Sequence, residues 1–535
     1  MSDRLIGRET ITADDSLNRQ AVRVTARPGL LLVVLGACPW MTCAPVLAAE
    51  PAPTETPAKR DVFEVIERGR QALLADKYQE AATAIEEALT MDEFLTLERP
   101  AQFRVFLFGA FADRGREDYL GAHEFMVLAT EFPDANAEHW LMRAQYASLV
   151  DAWPDAAIAV TTMAKRWPEF IADADDQLIG RIAFRANHDG KHKAEKIELL
   201  KALFAAKFVL EGGTQPDGLW HDLALDAIDR KDLRRAREIS RRIQGATTLL
   251  HMRADRRFDA LIKAERRTFD LSSAVERECR RLAKISSANP RSLGVRVQYG
   301  YALLQAGRFA ELQALAEEVI ARVADAPSDA APYDDISDQL NWIYNHKAAS
   351  LRAMGKWDDA LIVMQAGRRQ QEDGSLNVSQ AINLGWHFVD YGTPQNALDS
   401  LEGIDWARSL SPYGRMQLQH VRYRAYLQLG NSREADNVFA YLREHHEDAE
   451  DTWQLALLDA GDFDGAAALL IARLRDPEKR YEALGEVQEY LPLPRLPKQA
   501  EELARWEKLV TRDDVAAAIK EVGRREKAPL YDVPD

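Results

Sequence analysis

From residue 62 onwards, small and apolar residues recur three and four places apart, the spacing that puts side chains on one face of a helix. In residues 62–95 they are Gly69, Ala72, Tyr78, Ala81, Ile85 and Ala88. In residues 137–170 they are Trp140, Ala144, Ala147, Trp153, Ala156, Val160 and Met163, closed by Pro168. Each block predicts two short helices joined by a turn. Small residues let the two helices approach closely, and an aromatic at the start of the second fills the wedge against the neighbouring unit. A single unit leaves an apolar face exposed and must stack on the next.

Seven further frames follow with drift, anchored on Ala122, Ala236, Leu312, Ala360, Ala397, Ala435 and Ala466. Three places before the nine anchors stand Tyr78, Tyr119, Trp153, Leu233, Phe309, Trp357, Pro394, Ser432 and Phe463. Six of the nine are aromatic, against 8% for the chain. Two places earlier, five of the nine are glycine: Gly307, Gly355, Gly392, Gly430 and Gly461. That position is the turn between the helices, where glycine takes a left-handed backbone without steric cost. The gaps Ala156–Ala236 and Ala236–Leu312 are about double the rest. Each leaves room for one degenerate unit, near 178–211 and 251–290. The run Leu491-Pro492-Leu493-Pro494-Arg495-Leu496-Pro497 excludes helix. Two helices are expected after it, over 498–510 and 514–524, with Thr511 and Asp514 as a capping box. No convincing strand pattern appears.

These motifs resemble the tetratricopeptide repeat family, of a secreted or periplasmic bacterial type. The resemblance implies an all-α fold: a right-handed superhelical solenoid of helix–turn–helix repeats over 62–490, with a helical cap in 491–535. It further implies a groove lined by the first helix of each unit that grips a protein partner. Carried onto this chain, the groove positions are Gln145, Tyr301, Asn345, Arg352, Arg422 and Tyr426. Other long-helix α-solenoids remain an alternative, because the repeat length departs from 34.

The N-terminal 49 residues follow another logic. Arg19, Arg23 and Arg27 precede the apolar run 30–49, which ends in small residues, the order of a secretory signal. Cleavage is expected to leave Ala49 or Glu50 first, followed by a proline-rich linker to residue 61. The mature chain is then periplasmic or secreted, with no integral span. Lipidation at Cys38 and an uncleaved N-terminal anchor are the alternatives.

Charge narrows the partner. The chain carries 69 Lys and Arg against 85 Asp and Glu, a net charge of −16. That opposes general nucleic-acid binding, which needs clustered cations. Residues 230–291 run the other way, with 18 Lys and Arg against eight Asp and Glu. Arg234, Arg235, Arg241 and Arg242 mark this as a candidate surface for an acidic protein or anionic polymer, or simply a solvated helix face.

Catalytic signatures are lacking. No phosphate-cradling glycine loop, H-E-x-x-H, paired C-x-x-C or G-x-S-x-G occurs. His445-His446 fits a solvated acidic helix end, and Cys279 an inert thiol. No cofactor or metal is expected. The reading is a non-catalytic protein-binding scaffold of the cell envelope. A glycan-processing enzyme, with two carboxylates brought together by the solenoid, is the alternative.

Overall fold

All nine positions expected to start a second helix do start one. The computed structural model describes residues 61–532 apart from 173, 188–189, 328–329, 371–376 and 405–409. The signal-like run and its linker lie outside the described residues. Two units are present, 62–170 and 171–532.

The first unit is three helix pairs: α1 Val62–Leu74 with α2 Tyr78–Leu89, α3 Arg99–Gly115 with α4 Tyr119–Thr130, and α5 Ala137–Leu149 with α6 Trp153–Arg166. Val65, Ile85, Phe108 and Ala112 share one core. Polar bonds add direction to it. Arg143 on α5 donates to Asp155 on α6 (2.9 Å) and to the Thr130 hydroxyl on α4 (2.9 Å). His123 Nε2 on α4 lies 2.8 Å from the same Asp155. Burial alone would raise the Asp155 pKa; the bonds from Arg143 and His123 outweigh it and hold the carboxyl down at about 2.

The second unit opens with α7 Asp176–Arg185 and α8 Lys193–Ala205, the first degenerate pair. Then come α9 Asp217–Asp229, α10 Leu233–Ser240, α11 Ala246–Ala254, α12 Asp259–Ala264 and α13 Leu271–Ala288. Regular pairs resume with α14 Leu293–Gln305 and α15 Phe309–Ala324, then α16 Ile336–Ala353 and α17 Trp357–Arg368. The last are α18 Val378–Tyr391 with α19 Pro394–Ser400, α20 Pro412–Leu429 with α21 Ser432–Glu444, and α22 Glu450–Asp459 with α23 Phe463–Arg475. The remainder is α24 Arg480–Glu486, β1 Glu489–Leu491, α25 Pro497–Val510, α26 Asp513–Val522 and β2 Lys527–Tyr531. First helices pack on first helices of the next pair, as α14 on α16 and α18 on α20. Ala156 and Ala360, two of the anchors, are fully buried. The chain is an all-α solenoid of tetratricopeptide-like helix pairs.

The turn position explains the register. Gly307, Gly355, Gly392, Gly430 and Gly461 all have φ between 69° and 88°. In the four frames without glycine, the same position holds Asp76, Glu117, Asp151 and Lys231, with φ of 55–63°. The geometry is kept although an L side chain costs about 1–2 kcal/mol there. Lys231→Gly or Glu117→Gly is therefore expected to stabilise its unit by roughly 0.5–1 kcal/mol, the strain relief less the added entropy of the unfolded chain. Urea midpoints check this; a fall in either midpoint would contradict it.

Three local expectations need correction. β1 and β2 pair in parallel, so the chain is not wholly without strand; three residues of β1 are too few to leave an alternation in the sequence. Thr511 does not cap α26: its hydroxyl donates back to the Glu507 carbonyl, and Asp514 is paired with Arg512. The C-terminal segment is also more than an end cap, because it runs back across earlier helices.

Candidate partner-binding surfaces

The return path begins at Tyr481 on α24. Its ring lies 4.4 Å from His221 on α9 and 4.4 Å from His251 on α11, so the end of the array meets its own early helices. The Arg524 amide donates to the Ala254 carbonyl (2.9 Å) at the end of α11. A Cβ on Gly523 would stand 2.3 Å from that same oxygen; only glycine permits the approach. Arg256 donates to the Gly523 carbonyl, and Arg253 pairs with Glu526 at 2.7 Å. Further on, Tyr531 packs on Phe309 (5.4 Å, edge to face) over the Gly307 turn. Leu493 packs on Leu303, Leu304, Leu312, Ala349 and Ala353. Trp506 and Leu509 on α25 join the core of α22 and α23.

A buried charge cluster fixes α25 in place. Arg424 on α20 donates to Asp390 on α18 (3.1 Å) and to Glu502 on α25 (2.7 Å). Asp459 on α22 lies 3.8 Å from Arg424 and accepts from Arg505 on α25 (2.6 Å). His420 Nε2 is 2.8 Å from Asp459. Burial pushes Asp390 up to about 6 against the pull of Arg424, with Glu502 adding to the rise. Burial would lower the Arg424 pKa, yet Glu502, Asp390 and Asp459 keep it above its ordinary value. Asp459 is held low, because His420 and Arg424 outweigh its desolvation. These carboxylates are occupied in joining helices.

A second device recurs at helix starts. Asp217 accepts from the Gln244 and Gly245 amides, and Glu278 from the Ala246 amide (2.8 Å), at the N-terminus of α11. Asp335 does the same for Leu293 and Gly294 at the start of α14 (2.8 and 2.7 Å). Exposed amides and the helix dipole make these ends suited to carboxylates. Burial nonetheless raises Asp217 to about 6 and Glu278 to about 7.

The structure scatters the residues carried over from the groove. Gln145 lies half-buried on α5 in the first unit. Asn345 is not a groove residue: it is 1% exposed and accepts a bond from Asn383 (3.2 Å), because the facing helix α18 covers it. Tyr301 is half-buried beside His346. Tyr426 packs on the apolar core around Tyr423. Arg422 is partly buried, which lowers its pKa. Arg352 alone borders the returning segment, lining a small cleft with His387, Asp390, Pro494 and Arg495.

The basic stretch is largely spent on structure. Arg242 donates to the Phe204 carbonyl (2.8 Å) and covers the Phe204 ring at 3.7 Å, with Arg235 at 4.7 Å. Arg235 also pairs with Glu238. Arg241 and Arg237 share Glu265. Arg234 is exposed. Cys279 is 1% exposed, burial pushes its thiol pKa up, and its sulfur sits 3.4 Å from the Ala302 carbonyl.

Among the described residues, no three His, Cys, Asp or Glu converge as metal ligands, and no helix is long and apolar enough to cross a membrane. What sequence reasoning missed is the apolar exposure of the first unit. Of fourteen large apolar side chains exposed among the described residues, six lie in 62–170: Phe63, Leu74, Leu95, Leu120, Leu128 and Ile158. That unit is less than a third as long as the other.

No family model matches the chain, and no curated protein does. Among solved structures it is similar to the APC/C hetero-tetramer Cut9–Hcn1, at 12% identity over 87% of each chain and a TM-score of 0.27. It is also similar to yeast Tom70, at 12% identity over 86% of this chain and 99% of that one, TM-score 0.28. The TPR domain of P58(IPK) is 15% identical over 78% of this chain and 100% of that one, TM-score 0.20. The class assigned above rests on this chain's own helix pairs and turn residues.

Proposed function

We propose that the chain is a non-catalytic protein-binding scaffold of the cell envelope, and that residues 62–170 provide its principal outward surface. The concentration of exposed apolar side chains there carries this reading. An apolar side chain at a protein surface contributes little to folding but much to association once covered. The same residues hold 10 Lys and Arg against 19 Asp and Glu, so the partner's complementary face is basic and apolar. Buried titratable groups such as Asp155, Arg424 and Glu278 are engaged in joining helices.

Leu120 and Leu128 sit on α4 with 56% and 41% exposure, so Leu120→Glu with Leu128→Glu is expected to change stability by no more than about 0.5 kcal/mol per site. In affinity capture with cross-linking, the protein held by the wild type is expected to be lost from this variant. Capture unchanged, with the variant folded, would show that the surface lies elsewhere, with Arg422 and Tyr426 the next residues to alter.

The envelope location rests on the apolar run at 30–49. N-terminal sequencing of the chain purified from its native cell is expected to begin at Ala49 or Glu50. A lipid on Cys38, or an intact start in a membrane fraction, would contradict soluble export.

A further inference from the structure

Residues 492–496 are held on the array in a way that differs from the rest of the C-terminal segment. Strand β2 is fixed by a ladder, and α25 by buried ion pairs. Between β1 and α25, no backbone hydrogen bond ties residues 492–495 to the helices, among the described residues. Side chains alone hold the stretch. Leu493 sits on the apolar surface of Leu303, Leu304, Leu312, Ala349 and Ala353, and Pro494 lies over the Gly355 turn. Leu496, at φ −69° and ψ 155°, continues an extended backbone. Proline favours this conformation before binding, so little entropy is lost on docking. Arg352 and Asp390 flank the site with one charge of each sign.

We propose that the seam formed by α14, α15 and α16 is a recognition site for a proline-flanked leucine in an extended protein segment, and that residues 492–496 occupy it in cis. The specificity follows from what is seen there. A half-buried apolar side chain covers the seam, a proline ring covers a glycine turn with no side chain to obstruct it, and backbone donors are not required. A partner segment of the same chemistry competes with the chain's own. This rests on the reading of the chain as a protein-binding scaffold, but it concerns a second surface, within the 171–532 unit.

The test uses the full chain and a fluorescent synthetic peptide with the sequence of residues 489–497. Wild-type protein is expected to leave the peptide unbound, because the seam is filled. Leu493→Asp unseats the internal segment and is expected to bind the peptide at least about tenfold more tightly, a 1.4 kcal/mol difference. The same peptide with its central leucine changed to aspartate is expected not to bind.

A second variant guards against misfolding of the first. A Cβ on Gly355 would lie 3.7 Å from the Pro494 Cβ, within the range a disulfide spans. Pro494→Cys removes the ring that helps seat the segment, so the pair Gly355→Cys and Pro494→Cys is expected to exclude the peptide when the disulfide holds the segment down and to admit it when reduced. The proposal is overturned if a folded Leu493→Asp chain binds no better than wild type, if the aspartate peptide binds equally well, or if reduction of the cysteine pair changes nothing. Neither variant should alter partner capture through Leu120 and Leu128, so failure at the seam and failure of the scaffold reading are told apart.

Discussion

Arg424→Leu is expected to destabilise the 171–532 unit by roughly 3–5 kcal/mol, the usual cost of removing one partner from a buried ion pair. The arginine carries the positive charge at the centre of Asp390, Glu502 and Asp459. Leucine fills comparable space and satisfies none of them. Arg505 still reaches Asp459, but Asp390 and Glu502 would face each other across a dry interface, and α25 would lose its polar anchor. The urea midpoint should fall with little change in slope, and the amides of α20 and α25 should exchange faster. Adding Glu502→Gln should recover part of the loss by removing one stranded charge. A midpoint unchanged in Arg424→Leu would mean that the cluster is hydrated in solution.

The second large effect depends on pH. Asp217 and Glu278 are raised by burial to about 6 and about 7, from ordinary values near 4. The folded state therefore binds more protons than the unfolded state across this window. Stability then falls as pH rises through it, the reverse of an ion-paired carboxylate. Each group contributes on the order of 2–3 kcal/mol at most. His346 and His387 act the other way: burial lowers each to about 4, with Arg352 adding to the effect at His387. Their contribution rises with pH between about 4 and 6.5. A variant isolates the carboxylates. Relative to wild type, Glu278→Gln should gain stability between pH 5.5 and pH 8, since glutamine still accepts the Ala246 amide and carries no charge. A constant difference between the two proteins over that range would contradict the account.

Much of the fold is legible in the sequence because its determinants are local. Helix starts at Tyr78, Trp153, Trp357 and Phe463 are written within a few residues of each turn. So is the positive φ at Gly355 or Gly430. Asp76 and Lys231 conceal the same turn behind side chains that glycine counting misses, although the aromatic or leucine two places on still marks it. Determinants that act over long separations were not legible. Glu502 meets Arg424 across 78 positions, and Arg524 meets Asp259 across 265; no periodicity encodes such pairs. One signal did exist. Leu491, Leu493 and Leu496 alternate with prolines in a stretch that a plain solvated linker would leave polar. The candidate groove fails in part for a related reason: whether a first-helix residue is open or covered depends on the next pair, as Asn383 decides for Asn345. The basic run at 230–291 reads as a patch, but Phe204 and Glu265, both distant in sequence from some of the arginines they engage, absorb much of it.

Residues 62–170 are proposed as the surface that holds a protein partner. Hydrogen exchange of the free chain and of its captured complex, mapped over α1 to α6, tests this most directly. Slower exchange on complex formation is expected in α4 and α6, around Leu120, Leu128 and Ile158. No change there would contradict the assignment of the surface to this unit, and turnover of an envelope substrate by the purified chain that a single carboxylate substitution abolishes would contradict the scaffold reading.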